Sequence, residues 1–83
     1  MAAQQNTFRL TIASVGETRF DGEAISATLP GAAGELTILP HHEPIVTTLK
    51  PGKITVRTAE DAPEFPIESG VLECAHNRVV VLL

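Results

Sequence analysis

Ala27 to Gly52 reads ATLPGAAGELTILPHHEPIVTTLKPG. Ala27 and Leu29, then Leu36 and Ile38, fall on alternate positions, the period of two expected of strands with one buried face. Pro30-Gly31 and Pro51-Gly52 punctuate these runs as turn formers. The glycines Gly31 and Gly34 bracket Ala32-Ala33 without the lysine of a phosphate-binding loop, so they serve a tight turn between strands. Six prolines in 83 residues forbid a long helix almost anywhere before Ser69, because each removes a donor and excludes its predecessor from helical geometry.

The same beat extends outward in both directions. Phe8, Leu10 and Ile12 alternate upstream, and Ile25 precedes Ala27 and Leu29 in phase; Ile54 and Val56, Phe65 and Ile67, and Val79 and Val81 follow downstream. Asp21-Gly22 and His76-Asn77 read as further turns. No helical i, i+3, i+4, i+7 pattern is sustained. The expectation is an all-β chain of eight to ten short strands forming a small antiparallel β-sandwich or barrel. It is a single domain over 1–83, with 1–6 as a flexible N-terminal segment. The polar stretch Ala59 to Glu64, AEDAPE, reads as a solvated hairpin loop; its acids, with Glu68 nearby, lack the ligand spacing and the glycine of a calcium loop.

Composition narrows the function. A chain of 83 residues buries one modest core, and chains of this size without metal or disulfide often lean on a partner. Cys74 is the only cysteine, which excludes an internal disulfide, and no zinc spacing is present. A net charge of −4 opposes binding to nucleic acid, and the absence of Trp and Tyr removes a base-stacking platform. The start, MAAQQN, has no secretory signal pattern, and the apolar run Val79 to Leu83 is far too short to span a membrane, so membrane association is expected through another protein.

Candidate chemistry centres on His41 and His42. Neighbouring residues of an extended chain point to opposite faces, which prevents the pair from easily chelating one ion, and His76 is the only other histidine. Cys74 alternates with Leu72 and is expected to face inward as a small hydrophobe. Ser69-Gly70 lacks the glycine before serine that a nucleophile elbow needs. The residues thus favour no catalytic centre, no metal and no cofactor.

The ordered run FRLTI, F-D-G-E, ATLPGAAGELTILP-x-H-x-P, TLKPGKITV, ESGVLE and NRVVVL resembles the N-terminal domain of the ε subunit of F-type ATP synthases, from about Phe8 to Leu83. Its most specific part is the combination of LPG, GEL, LP, a histidine-proline cluster and LKPG between Leu29 and Gly52. The resemblance implies a flattened sandwich of about ten strands at the foot of the central rotor stalk, here without the C-terminal helical hairpin of the family. Such a domain does no chemistry. It grips the γ subunit along one side and rests on the c-ring at one end, so that ring and stalk turn together during proton-driven ATP synthesis. By the same resemblance Glu35 and His42 are the c-ring contacts, and the protein is peripheral on the cytoplasmic, or organelle inner, face of an energy-coupling membrane. Where the family commonly has proline-glycine-histidine, this chain has Pro40-His41-His42, so the turn that carries His42 must form without glycine.

No residue is assigned to γ by the resemblance. Apolar residues on both faces of Val79 to Leu82 and at Ile45 and Val46 exceed what one small core takes, and part of that surplus is the expected γ contact. Two other classes remain as alternatives: a free-standing sandwich that binds a ligand or carbohydrate, and a small metal-dependent enzyme using His41, His42 and His76. In isolation the chain is expected to be monomeric.

Overall fold

In the computed structural model, residues 6–83 are described; most of the flexible segment expected over 1–6 lies outside them. Strands form where the two-residue beat is unbroken. Among the described residues they number nine: β1 (Phe8–Ser14), β2 (Glu17–Ala24), β3 (Ser26–Gly31), β4 (Gly34–Ile38), β5 (Ile45–Leu49), β6 (Gly52–Arg57), β7 (Glu64–Ile67), β8 (Gly70–Ala75) and β9 (Arg78–Leu82).

The strands make one hydrogen-bonded path, β2-β1-β9-β8-β5-β3-β6-β7, with β4 on the other edge of β3. The path folds over at β3. There Gly31 faces Leu49 of β5 while Thr28 faces Thr55 of β6, so a short piece of β3 is matched by a longer piece of its partner chain. The surplus forms a corner at Lys50-Pro51, held by Lys50 N–H donating to the Pro30 carbonyl and Ala32 N–H to that of Thr48, both at 2.9 Å. Beyond the corner the two ends of the path meet. Phe20 of β2 and Phe65 of β7 pack edge to face with ring centroids 6.1 Å apart, a geometry favoured by the ring quadrupoles. The halves β2-β1-β9-β8-β5 and β4-β3-β6-β7 therefore stack as a sandwich.

Every strand pair is antiparallel except β1 with β9, which is parallel. The exception lies where two hairpins, β1–β2 and β8–β9, join side by side. In that register Leu10 lies level with Val79 and Ile12 with Val81, and all four point inward. A slip of one residue would turn the whole set outward. One core runs through the described residues, built from Phe8, Leu10, Ile12, Leu29, Ile38, Ile54, Val56, Leu72, Cys74, Val79, Val81 and smaller neighbours, and no polar side chain is buried in it.

Two sequence expectations are corrected. Asp21-Gly22 makes no turn: both residues lie inside β2, opposite Thr11 and Leu10. The reversal comes earlier, at Val15-Gly16, where Gly16 adopts φ 75 and Val15 projects almost wholly into solvent. Ile25 leaves the inward beat because the chain crosses from one half of the sandwich to the other between Ala24 and Ser26. Ala24 is buried, Ile25 is exposed, and its N–H bonds the Arg57 carbonyl at 2.7 Å.

Candidate partner-binding surfaces

The histidines occupy turns at one end of the sandwich. Leu39 to His42 closes on itself through His42 N–H donating to the Leu39 carbonyl at 3.2 Å, with His41 at φ 65. His42 Nδ1 lies 2.7 Å from the Glu43 carbonyl; an oxygen of that kind only accepts, so Nδ1 is the donor in that bond. His76 stands in the β8–β9 turn, and the two turns touch: His41 N–H donates to Asn77 Oδ1 at 2.7 Å. That proximity was invisible in the sequence. Even so, no group of three His, Cys, Asp or Glu among the described residues is arranged to hold a metal ion, and the metal-enzyme alternative gains no support.

Cys74 faces inward beside Leu72, and burial pushes its thiol above the ordinary value, which disfavours the thiolate a nucleophile needs. Ser69 is exposed at the bend between β7 and β8. The polar stretch after β6 is a self-contained loop in which Thr58 Oγ1 donates to Asp61 and accepts the N–H groups of Glu60 and Asp61. Phe8 is buried, while Phe20 and Phe65 pack on each other, so the three phenylalanines are engaged in packing.

Glu35 is exposed on β4, opposite Pro30 and one step from the β3–β4 hairpin tip. The tip is tight: a Cβ on Gly31 would lie 2.5 Å from Leu36 Cδ2 and 2.8 Å from the Gly34 carbonyl, and Gly34 itself holds φ 139. Glu35 and His42 are not brought together. Glu35 is the second residue of β4 and His42 lies in the turn beyond its end; at about 3.3 Å per strand residue the run from Glu35 to Ile38 spans roughly 10 Å before that turn begins. What connects them is an edge. Among the described residues β4 pairs with β3 alone, leaving its other edge free, and Glu35, Thr37 and Leu39 are exposed along it.

A second surface covers the outside of the five-stranded half. Thr48, Val71, Leu82 and Ala13 stand opposite one another across β5, β8, β9 and β1, and the neighbouring row is Val46, Glu73, Val80 and Thr11. Val46, Val71 and Leu82 are 69%, 43% and 56% exposed, and Val80 is half-buried. Of the apolar run Val79 to Leu82, Val79 and Val81 lie in the core as their alternation implied, and Ile45 is half-buried. Val71, which the sequence did not single out, completes the strip. A shallow cleft of about 340 Å³ adjoins it, lined by Glu73, Ala75, His76, Arg78 and Val80. On its far side Arg9 Nε donates to Asp21 at 3.0 Å, with the guanidinium 2.8 Å from the carboxylate.

These features define an all-β sandwich whose exposed polar and apolar groups are gathered along an edge strand and on one sheet face. Comparison with known proteins gives the family. The domain described as ATP synthase, Delta/Epsilon chain, beta-sandwich domain matches residues 7–83, and the chain belongs to that family. It is 41% identical to the ATP synthase epsilon chain of Delftia acidovorans over 78 residues, and 42% identical to that of Xanthomonas campestris over 79. The alignments cover 93% and 94% of this chain and 56% of each relative, so the chain spans a little over half the length of these curated relatives. Among solved structures, a chain of the Euglena gracilis mitochondrial ATP synthase OSCP/F1/c-ring assembly superposes with a TM-score of 0.87 at 20% identity, covering 98% of this chain and 52% of that one. One from the Tetrahymena thermophila mitochondrial ATP synthase central stalk and c-ring gives 0.78 at 14% identity, covering 96% and 65%. At those identities the structures attest the fold.

Proposed function

We propose that this chain is the sandwich portion of a non-catalytic rotor subunit of an F-type ATP synthase, coupling the γ subunit to the membrane c-ring. The family match over residues 7–83 carries this reading. The surfaces give it a mechanism. The apolar strip of Val46, Val71, Val80 and Leu82 is the side that packs on γ, since a contiguous exposed apolar patch is costly unless a partner covers it. The free edge of β4 is the side that meets the ring. Glu35 and His42 are its two polar contacts, and because they stand at opposite ends of the strand, the ring engages a line along β4 rather than one point. Each contact contributes about 1–3 kcal/mol when well desolvated and close to nothing at a wet rim.

Torque transfer asks for stiffness, and a sandwich with a single continuous core supplies it. Proton flow turns the ring, the domain follows, and γ carries the rotation to catalytic sites elsewhere in the complex. The chain is peripheral to an energy-coupling membrane, held there by its partners; no helix among the described residues is long and apolar enough to cross one. Co-purification from the native cell tests the reading: γ and the c subunits should come with the tagged chain at one copy per rotor. A tagged chain recovered alone from cells whose ATP synthase is intact would end it.

A further inference from the structure

Thr7, His41 and Asn77 are far apart in sequence and meet at the histidine end of the sandwich. Asn77 is the second residue of the two-residue β8–β9 turn, where His76 and Asn77 hold φ 54 and φ 59. This is the turn whose twist suits a hairpin, and asparagine adopts it at little cost. From that position its side chain reaches two other segments. Oδ1 accepts the His41 N–H at 2.7 Å, and Nδ2 donates to the Thr7 carbonyl at 2.9 Å in a partly buried bond. Its main-chain carbonyl accepts the Arg9 N–H at 3.2 Å.

The bond to His41 falls where the chain needs it. His41 holds φ 65, a region that disfavours a residue bearing a Cβ. Pro40 on one side has no N–H to give, and on the other the His42 N–H is already committed to Leu39. Relaxing His41 to negative φ while keeping that bond would swing the peptide plane that carries the His41 N–H, and Asn77 Oδ1 holds that plane in place.

We infer that Asn77 is the positioning residue of the His41–His42 turn. A side chain on the β8–β9 hairpin secures a left-handed histidine on a different loop and so fixes the direction in which His42 leaves the sandwich. This deepens the functional reading above and rests on its assignment of His42 to the ring.

Asn77→Gly is the informative variant, because glycine keeps the turn conformation while deleting both side-chain bonds. In this chain the His41 amide should exchange with solvent deuterium about tenfold faster or more, while the amides of Leu72 and Cys74 in β8 keep their protection. Asn77→Asp retains an acceptor for His41 and should leave that amide protected. Unchanged exchange at His41 in Asn77→Gly, or a loss spread evenly over β8, overturns the inference. In the complex reassembled with γ and the c-ring, Asn77→Gly should weaken ring binding about as much as His42→Ala, with little further loss when the two are combined. Weakening by His42→Ala alone, with Asn77→Gly like wild type, also overturns it. If His42→Ala leaves ring binding intact while His41 exchange responds as expected, the ring assignment fails and the positioning of the turn stands on the exchange result.

Discussion

The two outer faces of the sandwich are built from the same alternation and end up chemically different. Outside the four-stranded half stand Thr28 and Thr37, with hydroxyls 3.3 Å apart, together with Thr55 and a Lys53–Glu64 ion pair at 3.2 Å. Outside the five-stranded half Val46, Val71, Val80 and Leu82 form an apolar strip among Thr11, Thr48 and Glu73. Folding needs neither set, because both point away from the core. A face of threonines and charges is stable in water as it is, whereas a valine-rich face gains by being covered. The difference separates what the sequence does for the fold from what, on the proposed reading, it does for γ.

The largest effect should come from crossing between inside and outside on one strand. Leu72 and Val71 are neighbours on β8, the first without exposure and the second 43% exposed. Leu72→Ala should lower unfolding free energy by about 2–5 kcal/mol and Val71→Ala by roughly 1 kcal/mol or less, read from urea denaturation midpoints. Equal losses would mean that the outer strip is part of the core, and the contrast between the faces would collapse. Next in size is the hairpin beside the corner that separates the halves. Gly31→Ala forces its Cβ against Leu36 and the Gly34 carbonyl, and should cost about 1–3 kcal/mol, with the hairpin amides losing exchange protection first.

The third prediction leaves stability nearly unchanged and addresses the contrast directly. Leu82→Lys on the apolar face should weaken binding to purified γ by about tenfold or more, while Thr37→Lys on the other face leaves it unaltered; both should stay within about 0.5 kcal/mol of wild-type stability. Equal affinities for the two variants would show that γ reads something other than the apolar strip.

How much of this was legible depends on the range of the interaction. Phe8, Leu10, Ile12, Val79 and Val81 announced their burial through spacing, because the side chains of a strand alternate whatever its neighbours are. The same rule could not say which strands stand side by side, so Val71 was not joined to Leu82, and the meeting of His41 with the His76–Asn77 turn stayed hidden. Asp21-Gly22 carried a turn signal that pairing with β1 overrode, while the actual reversal needed only Gly16. The missing glycine before His42 was the one local clue to Asn77, since a left-handed position without glycine calls for help from elsewhere.

The smallest predicted effect lies at the polar border of the apolar face. Asp21 is opposite Thr11 on the edge strand β2; the hydrogen bond from Arg9 holds its carboxyl below the ordinary 3.8, partial desolvation works the other way, and the Thr11 hydroxyl and the charges of Arg9 and Arg78 add to the lowering. A carboxyl depressed in the folded state binds its proton more readily once unfolded. Its contribution to stability is therefore fully present above the unfolded value, near pH 4, and fades as the pH falls through the folded one. Asp21→Asn should be slightly less stable than wild type at neutral pH, and the two urea midpoints should converge below about pH 4. Added salt should shrink the neutral-pH gap, because both partners are nearly half exposed. A gap that persists unchanged into acid would assign the role of Asp21 to strand pairing on β2 instead of to charge.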